Sequence, residues 1–467
     1  MMSRALGFVL VFLVFASCTS DDAGGGAIGV SELPEVPGEN EPEIEVELTD
    51  EELLDLTQKE TFKYFWDFAQ TESGAARERY HPQDPSNDPN TVTVGGTGFG
   101  LMGILVAMER GLVSRSEGVE RLEKIISFLE GADRFHGAWP HWLDGRNGNT
   151  LPFSEKDNGA DLVETSFLAQ GLICVKEYLK EGNSEEQAVA QKADELWKAV
   201  EWDWFTQNEN TLYWHWSPDF GFDIGLELKG YNEVLITYVM AAASPDFSIA
   251  KEVYENGWAS NGAIANGAIA NGASTYDIPL IVDHAGSSQK GGPLFWAHYS
   301  YMGLDPSNLA DAFVNYGDAT LNHAKINYAY CVDNPKNYKD YGKDCWGLTA
   351  SYSRNADGSL GYNAHSPSND TGVISPTAAL SSMPYTPEES MRALRYFYSN
   401  KDQLLGPAGF YDAFSPQYNF WVADAYLAID QGPILVMIEN HRSGLLWRLF
   451  MQNEDVRRGL DSLGFTY

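Results

Sequence analysis

Basic residues are scarce in this sequence. The 467 residues include 31 Lys and Arg against 66 Asp and Glu, which gives a formal net charge of −35, and the basic residues form no run. A protein that binds nucleic acid needs a basic face for the phosphates, so the sequence predicts no nucleic-acid partner. The same charge disfavours anionic substrates and leaves an uncharged ligand or a cation.

Motifs of several common enzyme classes are also missing. The chain has no G-x-S-x-G, H-E-x-x-H or P-loop pattern, and its nine His are scattered singly. The segment VGGTGFG (94–100) departs from the spacing of a dinucleotide-binding loop and lies in no βαβ unit, so it predicts close helix packing or a tight loop instead. We therefore expect neither a metal ion nor a cofactor.

Cysteine is the next scarce residue, with four in the chain. Cys174 lies in an apolar run and is predicted to be a buried thiol. Cys331 and Cys345 bracket a short polar segment, and their spacing fits no zinc motif. In an exported protein this pair could close a disulfide, which we take as an expectation beside the alternative of free thiols.

The N-terminus, MMSRALGFVLVFLVFASC, holds a short apolar run after one Arg and ends in small residues. This pattern indicates a secretion signal over 1–17, and its apolar run is too short to span a bilayer. The ending FASC is similar to a bacterial lipobox, with Phe15 where Leu is usual, and predicts a lipid on Cys18. An ordinary signal peptide is the alternative. We expect an exported lipoprotein at the outer membrane or cell surface, or in the periplasm.

Residues 18–48 are rich in Gly, Pro and Glu and are predicted to form a flexible acidic linker. The protein is therefore expected to contact the membrane only through its lipid anchor.

The rest of the chain, 49–467, is predicted to be one domain, and the protein is predicted to be a monomer. Helix-start signals occur at Thr49 with Glu52, Ser184 with Gln187, and Thr386 with Pro387. Further helices are predicted over 96–111, 115–131, 161–180, 231–243, 247–256, 293–302, 308–331, 375–382, 431–440, 443–452 and 453–463.

About a dozen helices joined by connections of uneven length favour an all-α fold, an (α/α)6 barrel whose long loops build a cavity at one end. A helical solenoid is disfavoured because no repeat of the usual length is visible. Two aromatic segments, 211–223 and 409–423, are predicted to be small hairpins or loops. The repeat NGAIANGAIANGA (261–273) is interpreted as a duplication in a surface loop.

Acidic residues stand at the mouths of several apolar helices. Asp157, Asp161 and Glu164 precede or open the segment 161–180, where acids also complement a helix dipole without any further role. Glu233 starts an otherwise apolar helix, and Asp430 has no Lys or Arg within ten residues. A buried carboxylate without a partner is costly, so these acids are expected to be hydrogen-bonded or functional.

Aromatic residues make up 13% of the chain and cluster beside these acids. Core packing accounts for many of them. Trp and Tyr next to Gly, Asp and His are also what a sugar site needs, because a flat ring stacks on the C–H face of a pyranose while polar groups take the hydroxyls. Candidate substrate contacts are Trp142, Trp214, His298 and Trp421. Two separated carboxyls, one protonated and one ionised, would hydrolyse a glycosidic bond with inversion.

Several long segments together resemble the glycoamylase-like domain of glycoside hydrolase family 144: DNGADLVETSFLAQGL, GYNEVLITY, GGPLFWAHYSYMGLDP, CWGLTAS, NDTGVISPTAALSSMPYTPEESMRALRYFY and AIDQGPILVMIENHRSGLLWRLF. The likeness runs from about residue 50 to the C-terminus. It implies an (α/α)6 barrel and inverting hydrolysis of β-1,2-glucan, either endo-acting or exo-acting with release of sophorose. The repeat at 261–273 looks like an insertion relative to the family pattern.

The resemblance also implies roles for the acids. Glu233 is the expected general acid, and Asp430 is expected to activate or position water. Asp157, Asp161 and Glu164 would hold glucose hydroxyls or support Glu233. Two alternatives stay open: hydrolysis of another neutral glucan, such as an α-glucan, and a surface lipoprotein that only binds glycan. The buried acids at several helix mouths favour an enzyme over the binding protein.

Overall fold

The structure, a computed structural model, describes residues 48–266, 274–285 and 290–467. The predicted signal peptide, Cys18 and nearly all of the predicted linker lie outside these residues, as does part of the repeat, 267–273. The described residues contain fifteen α-helices: α1 (Asp50–Trp66), α2 (Val94–Glu109), α3 (Arg115–Gly131), α4 (Leu162–Leu179), α5 (Ser184–Lys198), α6 (Leu235–Ala243), α7 (Lys251–Asn256), α8 (Ala263–Asn266), α9 (Tyr316–Asp333), α10 (Pro376–Leu380), α11 (Pro387–Ser399), α12 (Lys401–Leu404), α13 (Ala428–Ser443), α14 (Leu445–Met451) and α15 (Glu454–Leu463).

The strands are short and pair antiparallel: β1 with β15, β3 with both β2 and β4, β5 with β6, β7 with β8, β9 with β10, β11 with β12, and β13 with β14. They are β1 (Arg79–Tyr80), β2 (Thr91–Thr93), β3 (Trp142–Asp144), β4 (Thr150–Leu151), β5 (Ala160–Asp161), β6 (His215–Trp216), β7 (Ser274–Thr275), β8 (Ile278–Pro279), β9 (Ala350–Arg354), β10 (Leu360–Ala364), β11 (Leu405–Gly406), β12 (Gly409–Phe410), β13 (Ala413–Ser415), β14 (Trp421–Ala423) and β15 (Tyr426–Leu427).

Helices that are apolar on nearly all sides form an inner ring, because only a fully buried position suits such a surface. Around the ring, α2 contacts α4, α4 contacts α6, and α6 contacts a pair of 3₁₀ turns, Leu294–Ala297 and Tyr299–Tyr301. Those turns are hydrogen-bonded to the segment after α10 through the Tyr385 hydroxyl. The ring closes because α10 contacts α13 and α13 contacts α2.

Helices with a polar outer face surround this ring. Outer helices α1, α3, α5, α15, α9 and α11 pack on α13, α2, α4, α6, the 3₁₀ turns and α10 respectively. Six inner and six outer segments make the predicted (α/α)6 barrel, and the fold prediction is confirmed. Within the described residues, no helix combines the length and hydropathy that crossing a bilayer requires.

The glycine-rich start of α2 serves helix packing, as predicted. A Cβ on Gly98 would lie 2.5 Å from the Cα of Leu168 in α4, and one on Gly171 would lie 2.3 Å from the Gly98 oxygen. Contacts this short exclude any side chain, so the two inner helices meet backbone to backbone. This contact fixes the relative position of the two helix starts, which matters for the site described below.

Helix starts agree with the sequence in part. The capping box of Thr49 and Glu52 is formed, and α11 begins with Pro387 at its first position. In α5 the box uses Asn183 and Glu186, one residue before the predicted pair. Predicted helix 308–331 begins later, at Tyr316. Predicted helix 293–302 forms the two 3₁₀ turns instead, and the Phe295 N–H in the first of them donates to the Thr349 hydroxyl at 3.0 Å.

The cysteine predictions have different outcomes. Cys174 is a buried free thiol, as predicted. Cys331 and Cys345 form no disulfide, so that prediction is wrong: both are free and buried in one apolar cluster with residues of α10 and α11. Burial raises the pKa of both thiols, and each packs as a small neutral apolar group.

Candidate active site

A cavity of about 400 Å³ lies at the end of the barrel where α2, α4 and α13 begin. Among its described lining residues, eight are Phe, Tyr or Trp and three are Glu. Thr93 precedes α2, Glu164 lies in the first turn of α4, and Ile429 lies in the first turn of α13. Helix N-termini carry partial positive charge, so this end of the barrel favours carboxylates.

Asp161 is fully buried below this cavity and caps α4. Its Oδ1 accepts hydrogen bonds from the N–H groups of Val163 and Glu164 and from Nε1 of Trp214, at 2.9 to 3.0 Å. Its Oδ2 accepts from Nδ1 of His141 at 2.9 Å. Burial alone would raise the pKa of Asp161, but the hydrogen bond and the charge of His141 outweigh it and keep the pKa below its usual value. Asp161 is therefore ionised.

His141 carries the matching positive charge. Burial opposes this charge, but Glu164 and Asp161 raise the pKa of His141 to about 10. Glu164 accepts the Gly95 N–H at 2.8 Å, at the start of α2. Burial raises the pKa of Glu164 to about 7, although the charge of His141 opposes it. Glu164 and His141 both line the cavity, and Asp161 holds them from below.

Asp157 lies beside this group and is 6% exposed. Its Oδ2 lies 3.5 Å from Nε2 of His215, and its Oδ1 has no hydrogen-bond partner among the described residues. Burial and the nearby Asp161 raise the pKa of Asp157. His141, Asp157 and Asp161 place possible ligand atoms within 4.8 Å of one another. Since the Asp161 oxygens already accept N–H donors and His141 is protonated, we assign this cluster to no metal.

Glu233 faces the cavity from the turn before α6. Its carbonyl oxygen accepts a hydrogen bond from the Ser300 hydroxyl at 2.5 Å, and that hydroxyl accepts the Ile236 N–H at 3.2 Å. The backbone is thereby fixed while the carboxyl stays at the cavity. Burial raises the pKa of Glu233 to about 7, and Asp161 adds to the rise. At neutral pH a large fraction of this carboxyl is protonated and can donate a proton.

Asp430 is 1% exposed and lies behind the cavity wall. Its Oδ1 accepts a hydrogen bond of 3.4 Å from the hydroxyl of Tyr299, which does line the cavity. On its other side the Asp430 carboxyl meets a second buried carboxyl, that of Asp412. Burial, together with Asp412, raises the pKa of Asp430 well above its usual value.

Aromatic rings form the walls. Trp142 and Phe153 pack with ring centroids 4.8 Å apart, and Phe153 is 50% exposed. Tyr352 and Tyr362 are cross-strand partners in the β9–β10 hairpin, and both face the cavity. A slot between flat rings, with protonatable carboxyls at its floor, suits an uncharged ring-shaped ligand that carries hydroxyls.

Comparison with known proteins agrees with this geometry. The Glycoamylase family model, described as "Putative glucoamylase", matches residues 225–454. The solved structure of an endo-β-1,2-glucanase from Chitinophaga pinensis, in complex with sophorotriose and glucose, is 52% identical in sequence, with a TM-score of 0.86. The alignment covers 90% of this chain and 99% of that chain. The chain belongs to glycoside hydrolase family 144.

Two other proteins are also similar to this family 144 chain, one in sequence and one in fold. An exo β-1,2-glucooligosaccharide sophorohydrolase (non-reducing end) from Parabacteroides distasonis is 44% identical over 430 residues, which are 89% of this chain and 58% of the relative. The chain thus spans just over half the length of that curated relative. An endo-β-1,2-glucanase from Talaromyces funiculosus, 12% identical with a TM-score of 0.63 over 88% of this chain and 92% of that chain, shares the fold.

The family 144 cavity brings together most of the predicted site residues. Glu164, Glu233, Trp142 and Trp214 line it. Asp157 and Asp161 support it from below, and Asp430 lies behind Tyr299. Two predicted substrate contacts are not among the lining residues: His298 and Trp421.

The structure corrects the prediction for His298. This side chain is 1% exposed, and its Nε2 lies 3.0 Å from the Ser382 hydroxyl. Burial lowers its pKa to about 3, so it is a neutral core residue that joins the 3₁₀ turns to the segment after α10. Trp421 belongs to β14, pairs with Ser415, and packs against a small apolar cluster that includes Val373, Ala413 and Leu427.

Several lining residues lay outside the sequence prediction: Glu78, Arg79, Tyr299, Tyr352 and Tyr362. The last two carried a readable signal, since the Asp357-Gly358 pair between alternating residues is typical of a hairpin turn. Arg79 and Glu78 are joined by an ion pair of 3.4 Å at the cavity rim.

The Asp161 network predicts a stability effect. Asp161→Ala removes the cap of α4 and leaves the partly buried imidazolium of His141 without its hydrogen-bond partner. We expect the free energy of unfolding to fall by about 3 kcal/mol, the cost of breaking a buried pair. Denaturant unfolding would measure it. Asp161→Asn keeps the cap acceptor but also removes the charge opposite His141, so it should lose about 1 kcal/mol less than Asp161→Ala, the value of a helix cap, and equal losses in both variants would contradict the network.

Proposed function

We propose that this protein hydrolyses β-1,2-glucan with inversion of the anomeric configuration, with Glu233 as general acid and Asp430 as general base. The observation that carries the proposal is the pair of carboxyls on two sides of one aromatic cavity, Glu233 exposed to it and Asp430 reached through Tyr299. Relatives that cover the whole described domain and act on this glucan support the choice of substrate.

The acid step uses Glu233. Its carboxyl donates a proton to the glycosidic oxygen as the bond to the anomeric carbon breaks, which lets the sugar leave as an alcohol. Asp161 lies close enough to raise the pKa of Glu233, so the ionised support group helps to keep the acid protonated. Glu164 and His141 line the same cavity and supply hydrogen-bonding groups for glucose hydroxyls.

The base step uses Asp430. Water attacks the anomeric carbon from the face opposite the leaving oxygen, and its proton passes to the Asp430 carboxylate. Since Tyr299 covers Asp430 on the cavity side, the proton arrives beside or through the Tyr299 hydroxyl. Asp430 then releases this proton and Glu233 regains one, so that the enzyme returns to its starting state.

We also propose that the protein acts as a monomeric exported lipoprotein, at the outer membrane or cell surface or in the periplasm, with the lipid on Cys18. The support is the N-terminal sequence alone: a short apolar run, a small-residue cleavage site and a Gly- and Pro-rich acidic segment behind it. Incorporation of labelled palmitate into the full-length protein would test the anchor, and size-exclusion chromatography of the protein lacking residues 1–18 would test the monomer.

A substrate panel tests the proposed activity. The protein lacking residues 1–18 is incubated with linear β-1,2-glucan, starch and laminarin, and products are followed by chromatography. We expect cleavage of β-1,2-glucan only. Cleavage of starch alone would assign the site to an α-glucan, and glycan retention without cleavage would make the protein a binding protein. Release of sophorose alone, or of mixed longer products, would separate exo from endo action.

The pH profile provides a further prediction. Glu233 must be protonated to act, and burial raises its pKa to about 7. Activity is therefore retained below this value and is lost as the pH rises through it. We expect kcat/KM on β-1,2-glucan to fall on the alkaline side with an apparent pKa near 7. An alkaline limb above pH 9 would exclude Glu233 as the acid.

A further inference from the structure

Asp430 has a second buried acid beside it, Asp412, which belongs to no motif identified in the sequence. Asp412 lies between β12 and β13 and is 2% exposed, while Asp430 lies in the first turn of α13 and is 1% exposed. The carboxyl groups of the two residues are in hydrogen-bond contact with each other. They lie 18 residues apart in the sequence, and the Asp412 N–H donates a hydrogen bond of 3.0 Å to the Ala425 oxygen, which joins the two segments.

The hydrogen bonds around the two carboxyls leave one oxygen of each without a donor. Asp412 Oδ2 accepts the Tyr352 N–H at 2.6 Å, and Asp430 Oδ1 accepts the Tyr299 hydroxyl at 3.4 Å. Asp412 Oδ1 and Asp430 Oδ2 have no N–H or O–H partner among the described residues. Two carboxyls in contact repel unless one carries a proton, and a single shared proton gives each a hydrogen-bond partner.

The nearby charges also favour a proton on one of the two carboxyls. Glu78 is a further acid that acts on Asp430, and the groups that oppose the acids are the neutral donors of Tyr299 and Tyr352. Two buried carboxylates with neutral donors cannot both be ionised at low cost. The pair therefore holds one proton around neutral pH.

We propose that Asp412 is a positioning residue for Asp430: the two carboxyls share one proton across a hydrogen bond, and the charge of Asp412 sets the pH at which Asp430 is free to take a proton from water. With the proton on Asp412, Asp430 is an oriented carboxylate. It accepts the proton of the attacking water and afterwards loses it to solvent. This inference rests on the proposed function of the site.

Asp412→Asn separates this role from a structural one. The amide keeps an oxygen for the Tyr352 N–H and presents an N–H to Asp430, but removes the neighbouring negative charge. Asp430 should then ionise at lower pH. We expect the acidic limb of the kcat/KM profile on β-1,2-glucan to move down by at least one pH unit, with the maximal kcat within about tenfold of wild type. Asp412→Ala, which cannot orient Asp430, should lose far more of its kcat.

A readout without substrate keeps this inference separate from the proposed activity. A buried carboxyl whose pKa is raised stabilises the fold below its unfolded pKa, and that stability declines as the pH rises toward the folded pKa. The Tm of the wild type should therefore fall between pH 5 and 8, and this fall should be smaller in Asp412→Asn. Asp246→Asn, at an exposed position, is the matched control and should keep the wild-type slope.

The outcomes are distinct. An acidic limb and a Tm slope that both match wild type in Asp412→Asn would overturn the proposal. If wild type cleaves none of the glucans, the proposed function fails and the Tm slope alone decides on the shared proton. If Asp412→Asn does not fold, Asp430→Asn removes the other half of the pair and must reduce the Tm slope in the same way. An unchanged slope there would also overturn the proposal.

Discussion

Glu233→Gln should lower kcat on β-1,2-glucan by about 10³-fold, because the amide keeps the shape of the side chain but has no proton to donate to the leaving oxygen. KM should change little, since Gln fills the same place in the cavity wall. Steady-state kinetics on a defined oligosaccharide would measure both values. The Tm of the variant should equal or exceed that of wild type, because burial penalises the ionised Glu233.

The control for this variant is Glu120→Gln, an exposed residue of α3 outside the cavity. It makes the same chemical change and should keep wild-type kinetics. Activity of Glu233→Gln within tenfold of wild type would remove Glu233 from the acid step. A second informative substrate is one with a good leaving group, such as an aryl β-sophoroside: if this is accepted, its cleavage should be far less affected by Glu233→Gln.

Asp430→Asn should lower kcat by a similar factor of about 10³, because no other group would take the proton of the attacking water. KM should stay within a few-fold of wild type, because Asp430 is buried behind Tyr299 and its replacement leaves the cavity surface unchanged. The defect should persist on substrates with good leaving groups, because the base step is independent of the leaving group.

Asp246→Asn is again the matched control for the base variant. If Asp430→Asn retained most of its activity, another group would have to activate water, and Asp412 would be the next to replace. If instead KM rose steeply with kcat unchanged, Asp430 would act in substrate binding. Both outcomes would contradict the role proposed for it.

The parts of this site that lie close together in sequence could be predicted from the sequence. Asp157, Asp161 and Glu164 fall within one helix start, so helical spacing and the motif pointed to the same place. The inner helices were recognisable because they are apolar on all sides. Inference from neighbouring residues failed for His298, because a His next to Trp and Tyr in the sequence is typical of a sugar site and of a protein core alike. Only the Ser382 contact, from a segment 84 residues away, decides between them.

Asp412 was missed for a related reason. In the sequence GFYDAFSP it is an ordinary acid in an aromatic loop, and nothing nearby marks it. Its role depends on contact with Asp430 and on the Tyr352 N–H, which lies 60 residues away. Pairing between residues distant in sequence leaves no local periodicity.

Helix α5 begins one residue earlier than predicted for a simpler reason. Asn183 and Ser184 are both good caps, and Asn183 has Glu186 three residues later, where a capping box needs it.

The most direct test of the whole account is the configuration of the newly formed reducing end. Linear β-1,2-glucan is added to the protein lacking residues 1–18, and proton NMR spectra are recorded at once, before the sugar mutarotates. The account predicts that the α-anomer appears first and the β-anomer grows later. Early appearance of the β-anomer would show retention, and would contradict a mechanism in which Asp430 delivers water opposite Glu233.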